Sequence, residues 1–125
     1  MKINVLLIII GIFFSTSALA DKWVHYVDDP LPYFYETNSI KKIKNGLYEI
    51  LAVEHNTDYP TSRVYVYTFD CKRQQYKIGP SVFYSGHKGT GEIKSRDSWT
   101  SSMKDVNESD ESKKRLFIIV CHSPK

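Results

Sequence analysis

The chain reads as α+β: an antiparallel β-sheet with a C-terminal helix that a disulfide tethers to it. Three observations predict this class. Ser62–Cys71 alternates Val64, Val66 and Thr68 with Tyr65, Tyr67 and Phe69, the period-2 pattern of a sheet strand built from β-branched and aromatic residues, with both faces at least partly covered. Asn45-Gly46 stands between two such runs, the strongest short-range hairpin signal, because both residues accept the positive φ of a type I′ turn. Of the two cysteines, Cys71 lies where the central strand leaves the sheet and Cys121 four residues from the C-terminus, so a bridge between them pins the tail of the chain to the sheet.

The order along the chain begins with export. Lys2, the apolar run Ile3–Phe14 and the small-x-small sequence Ala18-Leu19-Ala20 have the three parts of a cleaved signal peptide, which makes residues 1–20 the leader and residues 21–125 the mature domain. The apolar run is well short of the roughly 20 residues a spanning helix needs, and no other stretch is apolar enough, so no transmembrane segment is expected. Nor does a cysteine follow Ala20, so no lipid anchor is expected either. Export into an oxidising compartment favours a Cys71–Cys121 bridge. Closing a loop of about 50 residues stabilises by about 4 kcal/mol in the chain-entropy model. The alternative for these thiols, a Cys/Cys/His metal site with His122, lacks a second C-x-x-C or H-x-x-x-H partner, so neither metal nor cofactor is expected.

Without Lys2 the chain carries 16 Lys and Arg against 14 Asp and Glu. So balanced a charge argues against nucleic acid as a partner. Lys41, Lys42 and Lys44, and again Lys72, Arg73 and Lys77, read as solvated strand edges and turns.

In the mature chain Trp23–Val27 reads as a first strand, broken by Asp28–Pro32, and Tyr33–Tyr35 as a second. Glu36–Ser39 is a turn, Ile40–Lys44 and Leu47–His55 form the hairpin, and His55–Pro60 is a loop into the central strand. After Cys71 a polar turn leads to two extended arms, Gln75–Ile78 and Ser81–Tyr84, separated by Gly79-Pro80 at a bulge or edge. Ser85–Ser98 is glycine-rich, charged and without periodicity, which predicts a mobile loop. Leu116–Val120 fits a buried strand by its β-branched content. Against that, Asn107–Glu111 puts capping residues and early acids where a helix begins, and Leu116, Phe117, Val120 and Cys121 then share one helical face. The capping signals favour the helix.

These landmarks in order resemble the surface-adhesin protein E-like family of bacterial exported domains. The features that carry the resemblance are Trp23, the element from Tyr33-Phe34-Tyr35 to Ser39-Ile40, the hairpin into Leu47–Val53 and the strand end Phe69-Asp70-Cys71-Lys72-Arg73. Tyr84, Trp99 and the terminal Val120-Cys121 complete the set. The resemblance covers essentially all of the mature chain. It implies an antiparallel sheet of about six strands with the C-terminal helix held across it by the disulfide, and a role in binding host extracellular-matrix proteins from the bacterial surface. One departure is the missing cysteine at the cleavage site, where the namesake carries a lipid.

No catalytic constellation is found: His25, His55, His87 and His122 have no ligand or triad spacing, and a G-x-S-x-G elbow is absent. Gly86–Gly91 lacks the spacing of a phosphate-binding loop. What stands out is the nine tyrosines, a residue type enriched at protein interfaces. Tyr65 and Tyr67, with Arg63, Lys72 and Arg73, are the candidate exposed aromatic-basic patch. The function this predicts is an exported, non-enzymatic binding module for a host matrix or bacterial envelope protein, periplasmic, secreted or surface-associated, with a homodimer as a further expectation. The alternative is a periplasmic protein that holds a hydrophobic ligand between sheet and helix, or a structural envelope protein.

Overall fold

The computed structural model describes residues 23–28, 32–55 and 60–122. The expected signal peptide, the middle of the turn after the first strand and the body of the loop before the central strand lie outside the described residues. The strands are β1 (Trp23–Asp28), β2 (Pro32–Glu36), β3 (Lys41–Lys44), β4 (Leu47–His55), β5 (Ser62–Asp70), β6 (Gln75–Tyr84), β7 (Ile93–Asp97) and β8 (Lys104–Asp105), followed by the helix α1 (Glu111–His122). All pair antiparallel in one sheet of eight strands. Six run in the order β1-β2-β4-β5-β6-β7, while β3 pairs with β4 and β8 with β6. The two added strands are short and extend rows already present, so the path keeps the expected six.

The register decides what each face carries. Ile50 lies opposite Tyr67, Tyr48 opposite Phe69, and Phe69 opposite Tyr76; residues directly opposite share a face. This is the face that α1 covers. Leu116, Phe117 and Val120 come down on Ile50, Tyr67, Phe69 and Tyr76 to make the core. Phe69 is fully buried, with the Tyr67 ring stacked on it at 6.1 Å and Phe117 tilted against it at 6.1 Å.

The helix begins where the capping residues predicted. Asp110 Oδ1 accepts the N–H of Lys113 at 3.2 Å and the hydroxyl of Ser112 at 2.7 Å, and Oδ2 accepts the Lys113 ammonium at 3.1 Å. This is the N-cap geometry that satisfies an orphan donor of the first turn. Partial burial opposes ionisation of Asp110, but the hydrogen bonds from Ser112 and Lys113 outweigh it and hold the carboxyl below its ordinary value. At the other end the disulfide joins Cys121 in the last turn of α1 to Cys71 at the exit of β5, with Cα atoms 5.6 Å apart and a separation of 50 positions in sequence. Cys71 is further fixed by its N–H, which donates to Gly46 O at 2.8 Å.

Three expectations are corrected in detail. The Asn45-Gly46 hairpin forms, but only Gly46 takes a positive φ, +83°. The turn is therefore not the mirror-image type with two left-handed residues, and the shift of register between Lys42 and Lys44 absorbs the difference. Ser85–Ser98 is not simply a loop, because residues 93–97 form β7 against β6. Every residue of β7 is exposed, so an edge strand with one apolar side chain shows no alternation to read. The part before it is braced: Ser62 Oγ donates to Gly86 O at 2.7 Å and accepts the Gly89 N–H at 2.9 Å. Finally, Tyr67 is core rather than surface, at 4% exposure. The Gly79-Pro80 break does form a bulge. Gly79 has φ +107°, and a Cβ there would run into the carbonyl oxygen of Trp99, so the chain after β7 is seated directly on β6.

Candidate protein-binding surface

The aromatic-basic patch expected around β5 is divided by the fold. Arg63 and Tyr65 stay together at one end of the helix-side face, where Tyr65 packs against the core cluster. The Arg63 guanidinium lies over the Phe83 ring, 5.0 Å from its centroid, and donates to Ser81 Oγ at 3.2 Å. Tyr65 is half-buried, and burial first, then the nearby Glu54 carboxylate, pushes its phenol above the ordinary value. Tyr67 sits deeper, under α1, where burial raises its phenol further. Lys72 and Arg73 are exposed in the turn after β5, where their N–H groups donate to Asp70 Oδ1, both at 3.1 Å. Some seven residues of strand separate Arg63 from Asp70, about 23 Å at 3.3 Å per residue. Arg63 with Tyr65 and Lys72 with Arg73 therefore do not form one surface.

The opposite face of the sheet carries a different feature. Leu51 lies across from Val66, Val64 across from Val82, and Val82 across from Arg96. These rows form the floor of an open groove of about 410 Å³, with Tyr84 at one side and Pro80, Asp97 and Ser98 on the rim. The groove exists because only part of this face is roofed. The turn at His87–Gly89, held by Ser62, packs Gly89 against Val64, Tyr84 and Trp23, and places the Lys88 ammonium 4.6 Å from the centre of the Phe34 ring, a cation–π contact. Beyond that turn the valines are left open.

Arg96 lines the groove, and Trp99 follows the lining residue Ser98 in the chain. Arg96 is exposed and has neither ion pair nor hydrogen bond among the described residues. Trp99, next to Ser98, is 63% exposed, the most exposed large apolar side chain among the described residues. Its backbone is held, since the Trp99 N–H donates to Asp97 Oδ1 at 2.9 Å. Sequence reasoning identified the β5 valines as one face but missed Arg96, because the segment that carries it has no strand signature.

The space under α1 is filled by Phe69, Leu116, Phe117 and Val120, so the groove is separate from the sheet–helix interface. Among the described residues, no three His, Cys, Asp or Glu side chains converge as metal ligands, and no helix is long and apolar enough to cross a membrane. His25 Nε2 and Asp28 Oδ1 lie 2.9 Å apart on the exposed part of β1.

No curated protein and no solved structure gives a match to the chain. The sequence model of one family, described as surface-adhesin protein E, matches residues 23–122. That span runs from the first residue of β1 to the last of α1 and takes in both half-cystines, the groove and Trp99. On that match, the chain belongs to the surface-adhesin protein E family.

Proposed function

We propose that this protein is an exported, non-enzymatic, adhesin-like module that captures a protein of the host matrix or bacterial envelope on the sheet face opposite α1. The observation that carries the reading is the open groove floored by Leu51, Val64, Val66 and Val82 and lined by Arg96, which is unpaired among the described residues, with exposed Trp99 following the lining residue Ser98 in the chain. An apolar centre with an arginine in its lining and an exposed tryptophan one residue on in the chain has the composition of interface hot spots. Family membership supports the class of function. The packed core under α1 disfavours a ligand held between sheet and helix.

Arg63 and Tyr65, the surviving half of the aromatic-basic patch, supply the comparison. Binding to immobilised matrix proteins and to envelope extracts should fall about thirty-fold or more in Val82→Ser/Trp99→Ala, with circular dichroism and melting midpoint unchanged. Arg63→Ala/Tyr65→Ala should keep its affinity. The reverse pattern in folded variants moves the site to the helix-side face.

A further inference from the structure

We propose that β7 is a docking strand: the partner contributes an extended, acidic segment that pairs with the free edge of β7, placing a carboxylate on Arg96 and an apolar side chain in the groove. This rests on the reading of the groove face as the binding face, and adds the partner's chemistry and backbone conformation.

Four observations lead to it. First, β7 is the last strand of the path and among the described residues pairs only with β6, with one register shift between Phe83 and Tyr84, so its outer N–H and C=O groups have no strand partners among those residues and offer a template for another chain. The sheet's other edge differs, since α1 packs against β1. Second, β7 is held at both ends before anything binds. Ser85 N–H donates to Glu92 O at 2.9 Å, Glu92 N–H donates to Ser85 Oγ at 2.9 Å, and Asp97 caps the Trp99 N–H. A fixed edge has little ordering cost on association. Third, edge and groove are continuous, because Arg96, Asp97 and Ser98 are also groove residues. Alternate side chains of an added strand face one side of the sheet and would extend the row Val64–Val82–Arg96.

The fourth observation selects the occupant. Lys94 and Arg96 are both exposed and unpaired among the described residues, whereas Asp97 is committed to the Trp99 N–H. Antiparallel pairing of two copies about Ser95 would set Lys94 of one against Arg96 of the other, and like charges directly opposite are destabilising. The same cations that repel a second copy attract a strand bearing glutamate or aspartate.

The test uses the mature, disulfide-bonded protein labelled with ¹⁵N and an eight-residue peptide with threonine at every second position and glutamate and valine taking turns between them, so that carboxylates and apolar side chains share one face. The expected result is slowed amide exchange within residues 93–97 and shifts at Val64, Val82 and Arg96. Replacing glutamate with lysine in the peptide, or methylating alternate peptide nitrogens, should weaken binding about ten-fold or more, and Arg96→Glu should invert the preference to the lysine peptide. Arg96 is exposed, so that variant keeps its fold. Groove shifts without protection of the β7 amides, or the same affinity for the methylated peptide, overturn strand addition. So does displacement of the peptide by decanoate, which makes an amphiphilic carboxylate the occupant, or a doubled mass with β7 protected in the absence of peptide, which makes it a second copy. If the peptide fails while Val82→Ser/Trp99→Ala still abolishes matrix binding, strand addition is wrong and the groove face stands; if that variant binds normally, the face itself is wrong.

Discussion

Tyr67 carries a phenol into the core between Tyr65, Phe69 and the underside of α1, and the physical consequence is a pH dependence at the alkaline end. Burial keeps this phenol neutral well above its ordinary range, and Tyr26 and Tyr65 are pushed the same way, each by burial first. A phenol whose folded value lies above its unfolded value of about 10 contributes stability in full below that pH and loses it as pH rises through the folded value. The urea midpoint should therefore fall steeply above about pH 10. Tyr67→Phe, nearly volume-conserving, should cost less than about 1.5 kcal/mol at pH 7 and make the alkaline fall shallower; an unchanged slope would assign the effect to the other tyrosines. The same residue shows how far the sequence reaches. Alternation in β5 tells which side chains share a face, but not which face receives the helix. That depends on where Leu116, Phe117 and Val120 land after the chain has returned across the whole sheet. The bulky tyrosine face was covered and the smaller valine face left as the groove.

The helix is legible because its signals are local: Asp110 as cap, Glu111 in the first turn, and an apolar face at helical spacing. The β-branched run Ile118-Ile119-Val120 imitates a buried strand, yet Ile118 is 56% exposed while Val120 is fully buried, the asymmetry of a helix lying on a surface. β7 was not legible, since among the described residues it pairs only with β6 and its side chains are exposed throughout. The disulfide acts on α1 rather than on the sheet, as the strands are paired continuously and the helix touches them through one face. Cys71→Ser together with Cys121→Ser should cost on the order of 2 to 5 kcal/mol and leave the sheet's far-ultraviolet signal largely intact under mild conditions. Near-ultraviolet dichroism from Tyr67, Phe69 and Phe117 should weaken first. Loss of the sheet before the aromatic signal would show that the bridge supports the strands instead.

At the scale of the molecule the two faces of one sheet differ, one sealed by a helix bolted down at Cys121 and the other open at the groove, and the proposed function gives them different work. Such a division is useful only where the bridge can form and a partner can reach the groove, and both conditions point outside the cytoplasm. Residues 1–20 have the composition of an export leader, and the partner proposed above would be met only after translocation. The expected outcome is that the cell-derived protein begins at Asp21 by N-terminal sequencing, fractionates outside the cytoplasm and shows no reactive thiol when unfolded without reductant. The two readouts are coupled through Ala20. Replacing Ala18 and Ala20 by bulky residues should retain the leader and leave the chain membrane-attached, but still oxidised if it has crossed, because the cysteines sit about fifty and a hundred residues beyond the cleavage site. A pool with free thiols and an uncut leader in the cytosol would instead detach the disulfide from export, and with it the placing of the groove where an adhesin-like module must present it.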